Sequence, residues 1–206
     1  MGAKPPAGAK VLFSGTQADL NERWVLQGTD KPAPWRLEGE AMVVQGGQIV
    51  SKETFSDFQL HLEFRCPDMP EATGQAKGNS GVYLQGRYEI QVLDSFAIAD
   101  PGTGDCGALY GQAAPLVNAC RPAMEWQTYD IFFRAARFDD AGNLISRARV
   151  TVLQNGITIQ NNVEIEAAGD AAAKNPGPIL LQDHGNPVAY RNIWVLPLPA
   201  QGATHY

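Results

Sequence analysis

The sequence predicts an all-β domain, a sandwich of two packed antiparallel sheets, and three observations carry that expectation. Short apolar–polar alternations recur along the chain, the signature of strands with one buried face. Glycine and proline are frequent, 21 and 14 in 206 residues, against a usual combined level of about 12%. That excess has no collagen-type repeat, so it marks turns between many short strands. No long amphipathic helix is visible.

The length suits one domain, read as a flexible lead-in over 1–10, a folded body over 11–198 and a tail over 199–206. The 16 basic and 22 acidic side chains leave a net charge of −6. Such a balance argues against a nucleic-acid groove or an anionic membrane surface, both of which reward clustered Lys and Arg. No apolar run approaches the roughly 18 residues of a membrane span. At 44% hydrophobic and 18% charged, the chain can bury a core. Nothing in the pattern announces an oligomeric state.

A short helical turn is expected at Asn21 to Trp24. Phe58 to Arg65 (FQLHLEFR) alternates without a fault, placing Phe58, Leu60, Leu62 and Phe64 on one face. Gln59, His61, Glu63 and Arg65 then share the other face, at intervals of roughly 7 Å. Gly81 to Asp94 reads as a hairpin around Gly86. A three-residue turn or a bulge there pairs Gln85 with Glu89 and Tyr83 with Gln91. In that register Val82, Leu84, Tyr88, Ile90 and Val92 are apolar neighbours, and Tyr83, Gln85, Glu89 and Gln91 share a polar face. Further strands are expected at Trp126 to Arg134, Arg147 to Gln154, Ile157 to Ile165, Gly177 to Gln182 and Val188 to Leu196. Asn155-Gly156 joins the second and third of these as a hairpin turn. Ala167 to Ala173 reads as a loop, because Gly169 and Asp170 interrupt its alanines.

Three cysteines, Cys66, Cys106 and Cys120, lack zinc-ligand spacing. Cys106 and Cys120 flank one loop-like segment, and either a bridge between them or three buried thiols fits the pattern. Met1 to Lys10 (MGAKPPAGAK) has no apolar h-region and is no intact signal peptide.

Several spaced motifs together resemble the 3-keto-disaccharide hydrolase domain family. They are NSGVYL at 79–84, YEIQVLD at 88–94, CGALYG at 106–111, EWQTYD at 125–130 and GPILLQDHG at 177–185. LFSG at 12–15 and YRNI at 190–193 fit the two ends. The resemblance spans about Val11 to Leu198. It implies a jelly roll of concanavalin A-like lectin/glucanase type whose concave sheet holds a sugar. It also implies an exported bacterial protein, secreted or periplasmic in its mature form. Glu89-x-Gln91-x-x-Asp94 is distantly similar to the E-x-D-x-x-E strand of retaining β-glucanases of that fold. Retaining hydrolysis needs two carboxyls about 5–5.5 Å apart, and Gln91 cannot titrate, so an ordinary retaining glucanase is the weaker reading.

A 3-keto-glycoside needs a base for its C2 proton, a partner for the enolate oxygen and a proton source for the leaving group. The expected catalytic groups are Glu89 or His184 as base and Glu63 as an orienting or proton-donating acid. Arg65 or Arg191 would serve the enolate oxygen. Asn79, Tyr83, Gln85, Gln91, Asp94, Tyr110, Gln182 and Asp183 complete the expected substrate-binding set, with Tyr83 and Tyr110 as stacking platforms. Trp35, Trp126 and Trp194 read as core. All the site groups are expected to face one hollow. The sequence requires no cofactor; an acidic cluster of this kind can hold a divalent cation, which has no assigned ligands. The partner is a small glycoside or oligosaccharide. A non-catalytic carbohydrate-binding domain is the alternative from another class.

Overall fold

A computed structural model describes residues 1–166 and 175–200. The expected loop over 167–173 and the last six residues of the tail lie outside the described residues. The first half of the chain forms β1 (Lys10–Phe13), α1 (Gln17–Arg23), β2 (Trp24–Leu26), β3 (Arg36–Glu38), β4 (Ala41–Val43) and β5 (Ile49–Phe55). Then come β6 (Phe58–Arg65), β7 (Ser80–Leu84), β8 (Tyr88–Val92) and, after a long excursion, β9 (Gln127–Arg134). A small hairpin of β10 (Arg137–Phe138) and β11 (Leu144–Ser146) leads to β12 (Arg149–Gln154) and β13 (Ile157–Glu164). β14 (Gly177–Leu181) and β15 (Ala189–Pro197) close the fold.

Two antiparallel sheets carry the architecture. The larger runs β13-β12-β9-β6-β15-β4-β3, with β1 added beside β15; the smaller runs β2-β5-β14-β7-β8. Strand alternation explains why they pack. On β6, Phe58, Leu60, Leu62 and Phe64 are fully buried and lie across from Phe133, Ile131, Tyr129 and Gln127 of β9. On the smaller sheet, Val82, Leu84, Ile90 and Val92 point inward to meet them. Phe64 and Tyr129 pack with ring centroids 4.7 Å apart.

Apart from Gln85, the hairpin keeps the expected faces but not the expected pairs. Tyr83 lies opposite Glu89, Gly81 opposite Gln91 and Leu84 opposite Tyr88, two residues from the predicted register. The cause is the turn: Gln85 and Gly86 both adopt left-handed backbone (φ 53° and 65°), and the Arg87 N–H returns to the Leu84 carbonyl at 3.1 Å. A slip of two preserves strand parity, so the apolar face survives. Asn155 and Gly156 are likewise left-handed (φ 54° and 80°), forming the β12–β13 turn predicted for that dipeptide.

The early helix is longer than the sequence suggested, because Thr16 caps it from upstream: its side chain accepts the Asp19 N–H at 3.1 Å. The Cys106–Cys120 bridge is absent, and all three cysteines are free, buried thiols. Burial pushes the Cys66 thiol well up in pKa. A hydrogen bond with Cys106 and burial do the same for Cys120.

The Phe64→Ala variant removes a ring fixed between the sheets. Urea unfolding at unchanged m-value should show a loss of about 3–5 kcal/mol; a loss below about 1 kcal/mol would mean that Phe64 is not a core contact.

Candidate active site on the five-stranded sheet

Because the two sheets bury their apolar faces against each other, their polar faces point in opposite directions. The expected single hollow is therefore split. Glu63, Arg65 and Arg191 lie on the outer face of the eight-stranded sheet, whereas Tyr83, Glu89, Tyr110 and Gln182 belong to the outer face of the five-stranded one. Strand parity was read correctly except at Gln85, but parity does not say which sheet a strand joins.

On the five-stranded face, cross-strand pairing builds one row. Leu180 pairs with Tyr83, Tyr83 with Glu89, and the Tyr110 N–H donates to the Glu89 carbonyl at 3.0 Å. The segment around Leu109 thus extends the sheet beyond β8. In the next row, the Gln182 N–H donates to the Gly81 carbonyl, and Gly81 lies opposite Gln91. Gln182 Nε2 donates to the Tyr83 hydroxyl at 3.0 Å. Tyr83 in turn is hydrogen-bonded to the Glu89 carboxylate. An amide, a phenol and a carboxylate are therefore linked in series across three strands.

Gly81 makes this arrangement possible. A Cβ at that position would collide with Glu89 Oε1 and come within 3.0 Å of Tyr83 Cε2. The carboxylate lies over bare backbone, half-buried and without a cation: no ion pair involves Glu89 among the described residues. Burial raises its pKa, and the Tyr83 hydrogen bond only partly offsets that. Tyr83 is also raised, first by burial and then by the negative charge of Glu89. Tyr110, 45% exposed, stands at the end of the row as an open aromatic surface.

The other expected residues of this half are occupied in holding the frame. Gln91 is 1% exposed, its Nε2 donating to Gln75 Oε1 at 3.1 Å and to the Gly104 carbonyl at 3.3 Å. Asn79 donates through Nδ2 to the Gln75 carbonyl, and its N–H reaches Asn186 Oδ1. Asp94 pairs with Lys77 at 3.0 Å. Asp183 accepts the Gly47 N–H at 2.7 Å and the Gly185 N–H at 2.8 Å, fixing the base of the β14–β15 loop, where His184 is exposed. Gln85 is a correction: it sits in the turn, buried, with Nε2 donating to the Phe55 carbonyl and to Asn175 Oδ1. Its left-handed backbone takes the side chain off the strand alternation.

The opposite face is also rich in charge, but its groups are paired. Arg191 Nε donates to Glu63 Oε2 at 2.7 Å, and His61 Nδ1 lies 2.7 Å from Asp130 Oδ1. Burial would raise the Glu63 pKa, but the Gly2 amide, Arg191 and Asn192 together hold it below the ordinary carboxylate value. Arg65 and Arg191 both stack on Trp126, at 5.0 and 4.0 Å from the ring. Sequence reasoning missed Asp130 and Asn192 here; of the tryptophans it assigned to the core, Trp35 and Trp194 are buried, whereas Trp126 is only partly buried and carries the two guanidiniums. The parity of β9 offered a signal for Asp130; the bulge that turns Asn192 outward left none. Among the described residues no group of three or more His, Cys, Asp or Glu side chains is placed to hold a metal ion.

A half-buried carboxyl without a cationic partner, linked to a phenol beside an exposed aromatic, is the candidate acid–base site of this face, on a jelly roll of concanavalin A-like form. The profile of the 3-keto-alpha-glucoside-1,2-lyase-like domain matches residues 8–196, and the chain belongs to that family. Among solved structures it is similar to a Parabacteroides distasonis ATCC 8503 protein described as a candidate glycosyl hydrolase. Identity is 37% over 94% of this chain and 85% of that one, with a TM-score of 0.83. The fold is shared with the alginate lyase Aly36B (8% identity, 95% and 99% of the two chains, TM-score 0.54). It is also shared with the exoplasmic/lumenal domain of VIP36 in its Ca2+/Man3GlcNAc-bound form (9% identity, 95% and 91%, TM-score 0.51). A comparison with curated proteins gives no match.

The Gly81→Ala variant should displace the Glu89 carboxylate from Tyr83 at little cost to the fold, since the far end of a flexible side chain can move. NMR titration should then find the Glu89 pKa shifted down toward the ordinary 4.5, as the group moves toward water. An unchanged titration would show that Gly81 does not shape the site.

Proposed function

We propose that this domain cleaves the glycosidic bond of 3-keto-glycosides on the five-stranded face. The observation that carries the proposal is the Glu89 carboxylate, raised in pKa by burial and hydrogen-bonded to Tyr83. A carbonyl at C3 acidifies the C2 proton, so one base of moderately raised pKa is enough to begin the reaction. Glu89 takes that proton and the C2–H electron pair becomes the enolate. The enolate then re-forms the C3 carbonyl as C1=C2 forms and the C1–O bond breaks. The departing oxygen takes a proton, and water can add across C1=C2 to complete a net hydrolysis.

Three further roles follow from position. Once Glu89 is protonated it no longer needs the Tyr83 hydrogen bond, so the Tyr83 O–H, held by Gln182 Nε2, can turn to the enolate oxygen. That role was expected of Arg65 or Arg191, which lie on the other face. His184, exposed on the adjoining loop, supplies the proton for the leaving oxygen, and Tyr110 offers its ring to the sugar.

Purified protein incubated with a 3-keto-glucoside and, separately, with its unoxidised parent is the direct test. Release from the keto compound alone is expected. Binding of sugar with release from neither would mean a carbohydrate-binding domain, and release from the parent would mean an ordinary glycosidase.

The Glu89→Gln variant adds a second readout. Turnover should fall by about 10²–10⁴-fold. Because the folded-state pKa of Glu89 is raised, its ionised form opposes folding above that pKa, and the penalty disappears as pH falls below it. The amide carries no such charge, so the melting temperature at pH 7 should be unchanged or higher. A variant that loses both activity and stability would assign Glu89 a structural role instead.

A further inference from the structure

The outer face of the eight-stranded sheet holds a second built feature, separate from the Glu89 row. Its polar ladder runs Arg191–Glu63–Thr128 and, one step along, Trp194–His61–Asp130. Between those rungs β15 carries a bulge, where Asn192 takes left-handed backbone (φ 47°) and brings its amide to Glu63 and His61. The His61 ring lies flat on Trp194, with centroids 5.1 Å apart and planes 17° from parallel. Glu63 and His61 are each about 1% exposed, an unusual state for polar, titratable side chains on the outside of a sheet.

What covers them is the start of the chain. The Gly2 N–H donates to Glu63 Oε1, and the Ala3 carbonyl accepts from Asn192 Nδ2 at 3.1 Å and from Trp194 Nε1 at 3.3 Å. One backbone donor and the next backbone acceptor are thus read in order by three side chains fixed on the sheet. Cavities of about 390 and 290 Å³ lie beside the segment, the first bordered by Lys4, Pro5 and Arg191 and the second by Met1, Arg121 and Asp130. Gly2 itself is left-handed (φ 69°), with open space where a Cβ would be.

We propose that this face is a peptide-docking groove whose ligand is the chain's own segment Met1 to Pro5, bound in cis. Recognition is directed at the backbone, through an amide followed by a carbonyl, and it selects glycine at the second position because an L side chain disfavours that φ. The side chains of Met1, Ala3 and Lys4 make no hydrogen bond among those that hold the segment, so they are dispensable. Docking in cis is favoured by an effective concentration in the millimolar range.

The full chain tests this by amide hydrogen exchange read by NMR. The Gly2 amide should exchange at least tenfold more slowly than an unstructured one, independently of protein concentration. Trp194→Phe keeps a ring against His61 but removes the indole donor, and Asn192→Gly removes the amide donor while suiting the left-handed backbone. Each should cut Gly2 protection several-fold while leaving turnover of a 3-keto-glucoside, if present, unchanged. Gly2→Ala should also lose protection, and Ala3→Ser should not. A synthetic peptide of residues 1–6 at millimolar concentration should release the labelled segment. An unprotected Gly2 in the parent, protection untouched by all three disruptive variants, or protection that rises with protein concentration would overturn the proposal. None of these outcomes depends on activity at Glu89.

Discussion

One constraint organises the molecule: two sheets can exclude water from each other through only one face apiece. Once Phe58, Leu60, Leu62 and Phe64 are committed inward, Gln59, His61, Glu63 and Arg65 must look away from the interior. The same rule on the hairpin sends Tyr83 and Glu89 away in the opposite direction. Two polar surfaces result, on opposite sides of a shared hydrophobic layer, and no small movement of side chains can merge them. The chemistry of each has to be complete by itself.

The two surfaces then solve the burial of carboxylates differently. Glu63 is compensated by a guanidinium, two amide donors and a nearby imidazole, so its charged form is the stable one. Glu89 receives a phenol and little else, over a glycine that offers no side chain. An uncompensated carboxyl is poor economy for a fold and useful for proton transfer. That contrast, more than the number of charges, is what favours Glu89 over Glu63 in the proposed chemistry.

The sequence carried the strand faces well because periodicity is local. Phe58 to Arg65 could be sorted residue by residue, and Asn155-Gly156 announced its turn through backbone preferences alone. Sheet membership is a long-range property, and nothing in the spacing of β6 and β8 says that they end in different layers. The Gln85 error was of another kind: a polar residue in left-handed backbone leaves the alternation, and glutamine gives little warning of it. The strands between Lys10 and Phe55 also went unread. Several are only three residues long, too short for an alternation to declare itself, and they owe their pairing to neighbours far away in the chain. Gly81 could have been noticed as a strand glycine in a motif, a position where backbone or ligand commonly approaches closely.

The sulfur chemistry of the interior has a bearing on where such a domain can be made. Cys66 and Cys120 are shielded and kept as neutral thiols, and Cys106 is enclosed beside Tyr129. Thiolate is the reactive species toward oxidants and alkylating agents, so Cys66 and Cys120 are chemically quiet while the sandwich stays closed. The fold closes without a disulfide, so its assembly needs no oxidation of sulfur. A reducing environment has no sulfur–sulfur bond of this fold to break.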